Sequence, residues 1–217
     1  MSQVVVVIGG GELLPRAAAM VGPDSVVVAA DSGLDRAVEA GLRPAILVGD
    51  LDSISAGGRM WAYAHDVTIR EFPVDKDVTD TGLALVEAAA LDGVTDLLLL
   101  AGAGDRFDHT IGALVALGAG ELAPLDSVGA LIGGTRIHVL HPGRSVQLLD
   151  QLPGTTFSVL ALHGECTGVQ IAGARWPLVD ATVPPASTIG ISNETSDQPG
   201  VPTTITVATG VLTVVIP

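Results

Sequence analysis

Basic residues, aromatic residues and cysteine are all scarce in this chain. Ten Lys and Arg stand against 24 Asp and Glu among 217 residues, which gives a formal net charge of −14 at pH 7. Affinity for nucleic-acid backbones and anionic lipid surfaces depends on clustered Lys and Arg, so this balance argues against both partners. The single cysteine, Cys166, excludes an intrachain disulfide and a cysteine metal site. It favours a reducing compartment, and we expect a cytoplasmic protein.

Signal and membrane segments are not indicated either. The first residues carry no basic n-region, and their apolar run is short and ends in glycine. Residues 198–217 are uncharged, but their Pro, Gly and alternating Val and Thr predict strands rather than a membrane span. Because 48% of the residues are hydrophobic, the chain has enough apolar surface for a core, and we expect a soluble globular protein.

The order of apolar runs predicts an α/β fold over residues 1–127. Short β-branched runs alternate with helical periodicity, and the strands are expected at Val4–Ile8, Val26–Ala30, Ala45–Val48 and Leu97–Leu100. This alternation is typical of a mainly parallel sheet flanked by helices. From about Val128 the pattern changes to short strands broken by Gly and Pro, which predicts a C-terminal antiparallel β-sandwich over residues 128–217.

The predicted parallel strands end in glycine or aspartate. Ligands of such sheets bind at the carboxyl ends of the strands, so these ends should form the site. They carry Gly9-Gly10-Gly11, Asp31-Ser32-Gly33, Gly49-Asp50-Leu51-Asp52-Ser53 and Gly102 to His109. The three glycines could let backbone N–H groups approach a phosphate, but they lack the spacing of a dinucleotide fingerprint or a P-loop. An ordinary tight turn explains them as well.

Asp50 and Asp52 suggest a metal site. Two residues apart on an extended segment, their side chains would face the same way about 6.6 Å apart. Two such charges repel by about 2.5 kcal/mol at an effective dielectric constant of 20, so a cation is expected beside them. Mg²⁺ takes one or two carboxylates and keeps other positions for water and phosphate. The alternative is that one aspartate caps a turn and the other is solvated.

Lys76 is the only lysine of the chain and stands among three aspartates, Asp75, Asp77 and Asp80. It could contact a phosphate or form a local salt bridge. Asp77 or Thr79 could cap the helix that follows. Arg106 could likewise clamp a phosphate with Asp108 beside it, or only neutralise its neighbour Asp105.

Other chemistry has little support in the sequence. The five histidines show no metal-binding spacing, and the GxSxG pattern of serine hydrolases is absent. Cys166 has no basic neighbours and is expected to be a small buried residue rather than a nucleophile. Trp176 could stack on a planar heterocycle, or it could be a hydrophobic plug between strands.

The ordered set of motifs resembles the thiamin pyrophosphokinases, also called thiamin diphosphokinases. The resemblance covers nearly the whole chain and lies in Ala30-Asp31-Ser32-Gly33, Gly49-Asp50-Leu51-Asp52-Ser53, Asp75-Lys76-Asp77-Val78-Thr79-Asp80 and Arg106-Phe107-Asp108-His109. Arg175-Trp176-Pro177-Leu178 and Ile191-Ser192-Asn193-Glu194 resemble the thiamin-side motifs of that family. The resemblance implies an α/β catalytic domain followed by a β-sandwich. It also implies a homodimer whose active sites lie between the catalytic domain of one subunit and the sandwich of the other.

The resemblance also assigns roles to residues. It implies that Mg²⁺ on ATP is held by Asp50, Asp52 and Asp80, and that these act in catalysis together with Arg106 and Asp108. The residues expected to bind the nucleotide are Gly10, Asp31, Ser32, Gly33, Lys76 and Thr79. The residues expected to shape the thiamin pocket are Trp176, Ser192 and Asn193. Two positions depart from the family pattern, because Ser32 and Asp105 both stand where glycine is usual.

The activity implied is transfer of a diphosphate group from ATP to the hydroxyl of thiamin, with release of AMP. Asp80 or Asp108 could orient or deprotonate that hydroxyl. Two other hypotheses remain open. One is a nucleotide-sugar transferase that uses Asp50 and Asp52 as its metal motif. The other is a thiamin- or nucleotide-binding sensor that has lost catalysis.

Overall fold

The structure is a computed structural model that describes residues 2–104, 106–148, 151–198 and 200–217. The chain divides into two compact units, the first ending at Gly134 and the second beginning at Thr135. Each unit has its own buried core.

The first unit is a parallel sheet with helices between its strands. Its elements are β1 (Ser2–Ile8), α1 (Pro15–Ala19), β2 (Val26–Ala30), α2 (Gly33–Glu39), β3 (Ile46–Gly49), α3 (Ala56–Ala64), β4 (Thr68–Glu71), α4 (Asp80–Ala89), β5 (Val94–Ala101), α5 (Phe107–Ala116) and β6 (Ser127–Ile132). A single 3₁₀ turn, Gly120–Leu122, lies between α5 and β6. The strand order in this unit is β6-β5-β1-β2-β3-β4, and every pairing is parallel.

Burial explains why β1 lies at the centre of this sheet. Val4 to Val7 are 0% exposed, so both faces of the strand are covered. On one face they meet a core that includes Ala17 of α1 and Ala37 of α2. A strand buried on both faces needs a continuous apolar run, and the sequence supplies one.

The register brings the carboxyl ends of β1, β2 and β3 side by side. Ile8 pairs with Ala30, and Ala30 pairs with Val48. The backbone N–H of Asp31 also donates to the carbonyl oxygen of Val48 at 2.9 Å. The residues that directly follow these strands therefore start from one edge of the sheet.

The second unit consists of two antiparallel sheets. Its strands are β7 (Thr135–Leu140), β8 (Ser145–Leu148), β9 (Thr156–Leu160), β10 (Cys166–Ala172), β11 (Leu178–Val183), β12 (Asn193–Glu194), β13 (Thr203–Thr206) and β14 (Leu212–Ile216). Within this unit the orders are β12-β9-β14-β7 and β11-β10-β13-β8. Side chains of both sheets, among them Phe157, Ile171, Ile205 and Leu212, form its core. The expected fold class, a parallel α/β part followed by antiparallel sheets, is confirmed.

One local expectation differs from the structure, and two elements were not expected from the sequence. The pattern change near Val128 falls inside β6, which pairs in parallel with β5 and belongs to the first unit. Helix α3 and strand β4 had no clear sequence signal, because α3 contains two glycines and β4 has three exposed residues of four.

The uncharged C-terminal stretch forms strands, as expected: β13 and β14 both lie within it. Among the described helices, none has the length and apolarity that a membrane crossing requires. Cys166 is fully buried, and burial raises the pKa of its thiol, so the expectation of a small structural residue agrees with its surroundings.

Candidate functional site

A cavity of about 790 Å³ lies at the carboxyl edge of the parallel sheet. Its volume falls within the range of about 300–1,000 Å³ that is usual for small-molecule sites. All of its lining residues belong to the first unit. Those predicted from the sequence are Gly10, Asp31, Ser32, Asp50, Lys76, Thr79, Asp80, Arg106 and Asp108.

Three aspartates in this cavity form a group that we call the acidic triad: Asp31, Asp50 and Asp80. One carboxylate oxygen from each lies within 4.8 Å of the others. Asp31 follows β2, Asp50 follows β3 and Asp80 is the first residue of α4. The sheet register therefore positions two of the three, and the start of a helix supplies the third.

Gly49 makes this convergence possible. Its φ of +147° is one that L side chains rarely adopt, and a Cβ there would lie 3.2 Å from the Cβ of Asp31 and 3.2 Å from Oδ1 of Asp80. Such contacts are tighter than ordinary packing allows, so a side chain would push the aspartates apart. The close approach of Asp31 and Asp80 in the triad therefore requires glycine at the end of β3.

Lys76 lies in direct contact with the triad. Its Nζ is 3.2 Å from Oδ2 of Asp50 and 3.1 Å from Oδ1 of Asp80, and it also donates to the carbonyl oxygen of Pro73 at 3.0 Å. Burial alone would lower the pKa of this ammonium, but the interactions with Asp80 and Asp50 outweigh burial and raise it. Of the two readings left open by the sequence, the salt bridge is the one that the structure contains.

Asp31 differs from the other two aspartates in its partners. Its Oδ2 accepts a hydrogen bond from Ser53 Oγ, and it has no ion pair with Lys76; its Oδ1, like Oδ1 of Asp80, is buried and has no hydrogen-bond partner among the described residues. Burial, followed by the nearby carboxylates of Asp50 and Asp80, raises the pKa of Asp31 despite the bond from Ser53. A buried, unpartnered carboxylate oxygen is costly unless a cation satisfies it.

The triad therefore fits a divalent cation. All of its donors are carboxylate oxygens, which are the ligands that Mg²⁺ and similar hard cations prefer. The unpartnered Oδ1 of Asp31 points to the same conclusion independently of the clustering. The set differs from the predicted one, because Asp31 belongs to the group and Asp52 lies outside it.

Leu51 explains why Asp52 lies apart. The prediction assumed an extended segment, and this is wrong, because Leu51 has a φ of +66° and turns the chain. Its side chain is buried, and its carbonyl oxygen accepts a hydrogen bond from the guanidinium of Arg59. Asp52 is left exposed, with its N–H donating to Oδ1 of Asp50 at 3.2 Å. That N–H lowers the pKa of Asp50, whereas the charge of Asp50 raises the pKa of Asp52.

The start of α4 is capped by a threonine. Thr79 Oγ1 accepts from the backbone N–H of Gly82 at 3.2 Å, so Thr79 and not Asp77 is the N-cap. Asp80 then stands in the first turn, where the positive end of the helix dipole stabilises a carboxylate. Of the two candidates for the cap considered from the sequence, Thr79 is the one that the structure contains, and Asp80 belongs to the acidic triad.

The glycines and Ser32 pack the strand ends closely together. A Cβ on Gly9 would collide with Ser32 Oγ, and one on Gly33 would collide with the carbonyl oxygen of Val7. Gly10 and Ser32 line the cavity. Gly33 is fully covered and does not belong to the described cavity wall, so its evident role is the close approach of α2 to β1.

Arg106 and Asp108 form an exposed bidentate pair at the start of α5. The guanidinium Nε and Nη2 lie 3.0 and 2.7 Å from the two oxygens of Asp108. The bonds from Arg106 hold the pKa of Asp108 well below its usual range. Asp105, the departure noted from the sequence, lies outside the described residues.

The residues predicted for the second unit also lie together. The side chain of Asn193 is 5% exposed and holds the backbone of Trp176, accepting from its N–H at 3.1 Å and donating to its carbonyl at 2.7 Å. The ring of Trp176 is 51% exposed, so the hydrophobic-plug interpretation is wrong. The guanidinium of Arg175 lies 4.7 Å from the ring centroid. Ser192 adjoins Asn193, and its N–H donates to Ser158 Oγ.

Ser53 is a site residue that sequence reasoning passed over. It lines the cavity and donates its hydroxyl to Asp31. Its position directly after Asp52, in the same strand-end segment, could have indicated a site residue. The neighbouring sequence does not show that its partner is Asp31. His109 and Thr110 of α5 line the cavity as well and were not singled out.

A family model for the thiamin pyrophosphokinase catalytic domain matches residues 18–120, and one for the thiamin pyrophosphokinase vitamin B1 binding domain matches residues 137–212. A thiamine pyrophosphokinase from Bacillus subtilis (strain 168) is 25% identical over 214 residues, or 98% of this chain and 97% of the relative.

Solved structures agree with these matches. Thiamine pyrophosphokinase from Bacillus subtilis has a TM-score of 0.81 at 21% identity, covering 100% of this chain and 98% of its own. Thiamin pyrophosphokinase from Geobacillus thermodenitrificans has a TM-score of 0.77 at 26% identity, covering 100% and 97%. The two family domains follow one another along most of the chain, in the order of the two structural units. The chain therefore belongs to the thiamin pyrophosphokinase family.

Proposed function

We propose that this protein transfers the terminal diphosphate of ATP to the hydroxyl of thiamin. The hydroxyl oxygen bonds to the β-phosphorus, the bond from that phosphorus to the oxygen bridging to the α-phosphorus breaks, and AMP leaves with that oxygen. The products are thiamin diphosphate and AMP. The observation that carries the proposal is the acidic triad with its unpartnered Asp31 oxygen, inside a ligand-sized cavity of a family member.

We propose Mg²⁺ as the cation, held by Asp31, Asp50 and Asp80 with Asp52 close by. When bound, the ion neutralises charge on the phosphate oxygens, which is most of what a phosphoryl-type transfer requires from its site. Ser53 keeps one oxygen of Asp31 occupied and leaves the other for the ion. The contribution of the chain is thus to bring three carboxylates into one place before the ligand arrives.

Cationic groups and backbone dipoles around the triad support the nucleotide. Arg106 lines the same cavity and presents a fork of donors that suits phosphate oxygens. Gly10 and Ser32 also line this cavity, and at Gly10 backbone groups can come close to a ligand. Positioning of the phosphates by these groups lowers the barrier by holding the reacting atoms in line.

The proton of the thiamin hydroxyl needs an acceptor. Asp108 is disfavoured, because its pair with Arg106 lowers its pKa and so its proton affinity. Asp80 remains the candidate among the two considered from the sequence. For thiamin itself we propose the exposed ring of Trp176 as a stacking surface, fixed by Asn193 and adjoined by Ser192.

A product assay tests the reaction. The purified protein is incubated with ATP, Mg²⁺ and thiamin, and AMP and thiamin diphosphate are measured together; we expect both in equal amounts. Asp50→Asn should reduce turnover by at least about 100-fold while circular dichroism shows an intact fold, because one triad carboxylate is lost. Near-normal turnover of Asp50→Asn would contradict the metal assignment. No AMP above the thiamin-free control would instead indicate a binding protein without catalysis.

We also propose the homodimer that the family resemblance implies, and a cytoplasmic location. The location is supported by a single buried cysteine, which needs no oxidising compartment. Sedimentation equilibrium checks the dimer, with twice the monomer mass expected at micromolar concentration.

A further inference from the structure

Lys76 is held by three neighbouring oxygens in this structure, through two hydrogen bonds and one ion pair. An ammonium has three donors and no acceptor. Three oxygens surround the Lys76 Nζ within 3.2 Å: Oδ2 of Asp50, Oδ1 of Asp80 and the carbonyl oxygen of Pro73. Its side chain is only 15% exposed, and that of Asp50 only 10%. In this state the ammonium is paired with the carboxylates of Asp50 and Asp80.

We propose that Lys76 is a built-in counter-ion, which holds the acidic triad together without ligand and is displaced from it when a divalent cation binds. The inference rests on the proposed function only in taking the triad as the metal site. It goes beyond that function by giving one residue two alternating partners. The lysine and the metal compete for the oxygens of Asp50 and Asp80, and a displaced lysine gains donors for phosphate.

The charges explain why a counter-ion is needed. Three carboxylates with oxygens within 4.8 Å of one another, all partly buried, repel strongly when none is protonated. Lys76 is the only lysine of the chain, and it contacts two of the three. The third, Asp31, is held instead by the hydroxyl of Ser53, which carries no charge. The ammonium thus compensates the pair that lies nearest to it.

Displacement also orders the binding events. A divalent cation brings two charges to the triad and satisfies Oδ1 of Asp31, which the lysine leaves without a partner. Once Asp50 and Asp80 ligate the ion, Lys76 loses its two anionic partners. The cavity already places it among the other residues expected to meet phosphate. Metal binding would therefore prepare the phosphate contact.

The first test measures binding of Mn²⁺ alone, without nucleotide, by electron paramagnetic resonance. Lys76→Met keeps most of the side-chain length and removes the charge, so we expect it to bind Mn²⁺ about tenfold more tightly than the wild type. Its apo form should melt about 3 °C lower, because two carboxylates lose their partner, and Mg²⁺ should abolish this difference. Lys76→Arg should remain close to the wild type in Mn²⁺ affinity.

A matched variant controls for net charge. Arg36→Gln removes one positive charge from the same unit, at an exposed i,i+3 pair with Glu39 outside the cavity. It should leave Mn²⁺ affinity within twofold of the wild type. Equal or weaker Mn²⁺ binding by Lys76→Met would overturn the proposal, and so would an equal gain in both variants.

The second test needs no variant, since the chain has one lysine. Protein labelled with ¹³C-lysine gives a single side-chain signal, which should shift on titration with Mg²⁺ alone and move again when ATP is added. A signal that stays in place while Mg²⁺ binds would overturn displacement. Neither test depends on turnover, so a protein that fails the product assay can still pass them, and an active enzyme can still fail them.

Discussion

Asp31 and Thr213 each bury an oxygen for which the described residues supply no hydrogen-bond partner. The two oxygens differ in their surroundings. Asp31 lies in a cavity beside two other carboxylates, so a cation can satisfy it. Thr213 lies in β14, where it is paired with Val139 and Leu160 and is 0% exposed. The same orphaned atom therefore indicates a ligand in one place and a small loss of stability in the other.

This contrast leads to a prediction about two buried threonines. Thr213→Val replaces an unsatisfied hydroxyl by a methyl group of similar size, so the free energy of unfolding should stay the same or rise by up to about 1 kcal/mol. Thr203, 1% exposed, donates its hydroxyl to the carbonyl of Gly173. Thr203→Val should lower the free energy of unfolding by about 1–2 kcal/mol. Urea unfolding measures both, and a larger loss in Thr213→Val than in Thr203→Val would contradict the argument.

At the scale of elements, α2 and α3 together hold the segment that carries Asp50. The carboxylate of Asp35 in α2 accepts hydrogen bonds from the N–H and hydroxyl of Ser55. The same hydroxyl caps α3 by accepting from the N–H of Gly58 at 2.9 Å. Arg59 then reaches back to the carbonyl of Leu51. The unusual turn at Leu51 is thus fixed from both helices.

Two adjacent glycines of α3 should respond in opposite ways to alanine. Gly57 is exposed, and a Cβ there meets nothing nearer than Ser55 Oγ at 3.7 Å, so Gly57→Ala should stabilise by about 0.5–1 kcal/mol through helix propensity. A Cβ on buried Gly58 would collide with the carboxylate of Asp35. Gly58→Ala should therefore destabilise by about 1–3 kcal/mol. Thermal unfolding of the two variants checks this, and equal changes would show that Asp35 gives way freely.

For the whole molecule, the fold and the position of the site could be predicted further than the geometry of the site. Apolar, β-branched runs such as Val4–Ile8 correctly predicted most of the parallel strands, and residues that follow these strands line the cavity. Which aspartates converge could not be read locally. Asp52 lies outside the triad because the chain turns at Leu51, whose side chain is buried and whose carbonyl oxygen accepts a hydrogen bond from Arg59. The local sequence does not show these contacts. For Lys76 the sequence indicated a salt bridge as one of two alternatives, and the structure contains it. Its three simultaneous contacts are visible only in the structure.

The stability of the molecule at low pH depends in part on one histidine, His138. Burial, and then the charge of Arg136, lower the pKa of His138 in β7 to about 4, against an ordinary value of 6.5. As the pH falls below 6.5 the unfolded chain takes up this proton and the folded chain does not. The contribution of neutral His138 to the free energy of unfolding is therefore fully present above pH 6.5 and is lost as the pH falls toward 4.

The free energy of unfolding is expected to fall by up to about 1.4 kcal/mol for each pH unit in that interval. The pKa of Asp31 is raised in the folded protein, so its contribution runs the other way near pH 4, and only a comparison of variants isolates the histidine. His138→Gln cannot take up the proton and should show a flatter free energy of unfolding between pH 6.5 and 4.5. Arg136→Gln removes the second cause of the low pKa and should give an intermediate slope. Urea unfolding at several pH values measures all three proteins, and equal slopes in the wild type and His138→Gln would show that burial does not keep this histidine neutral.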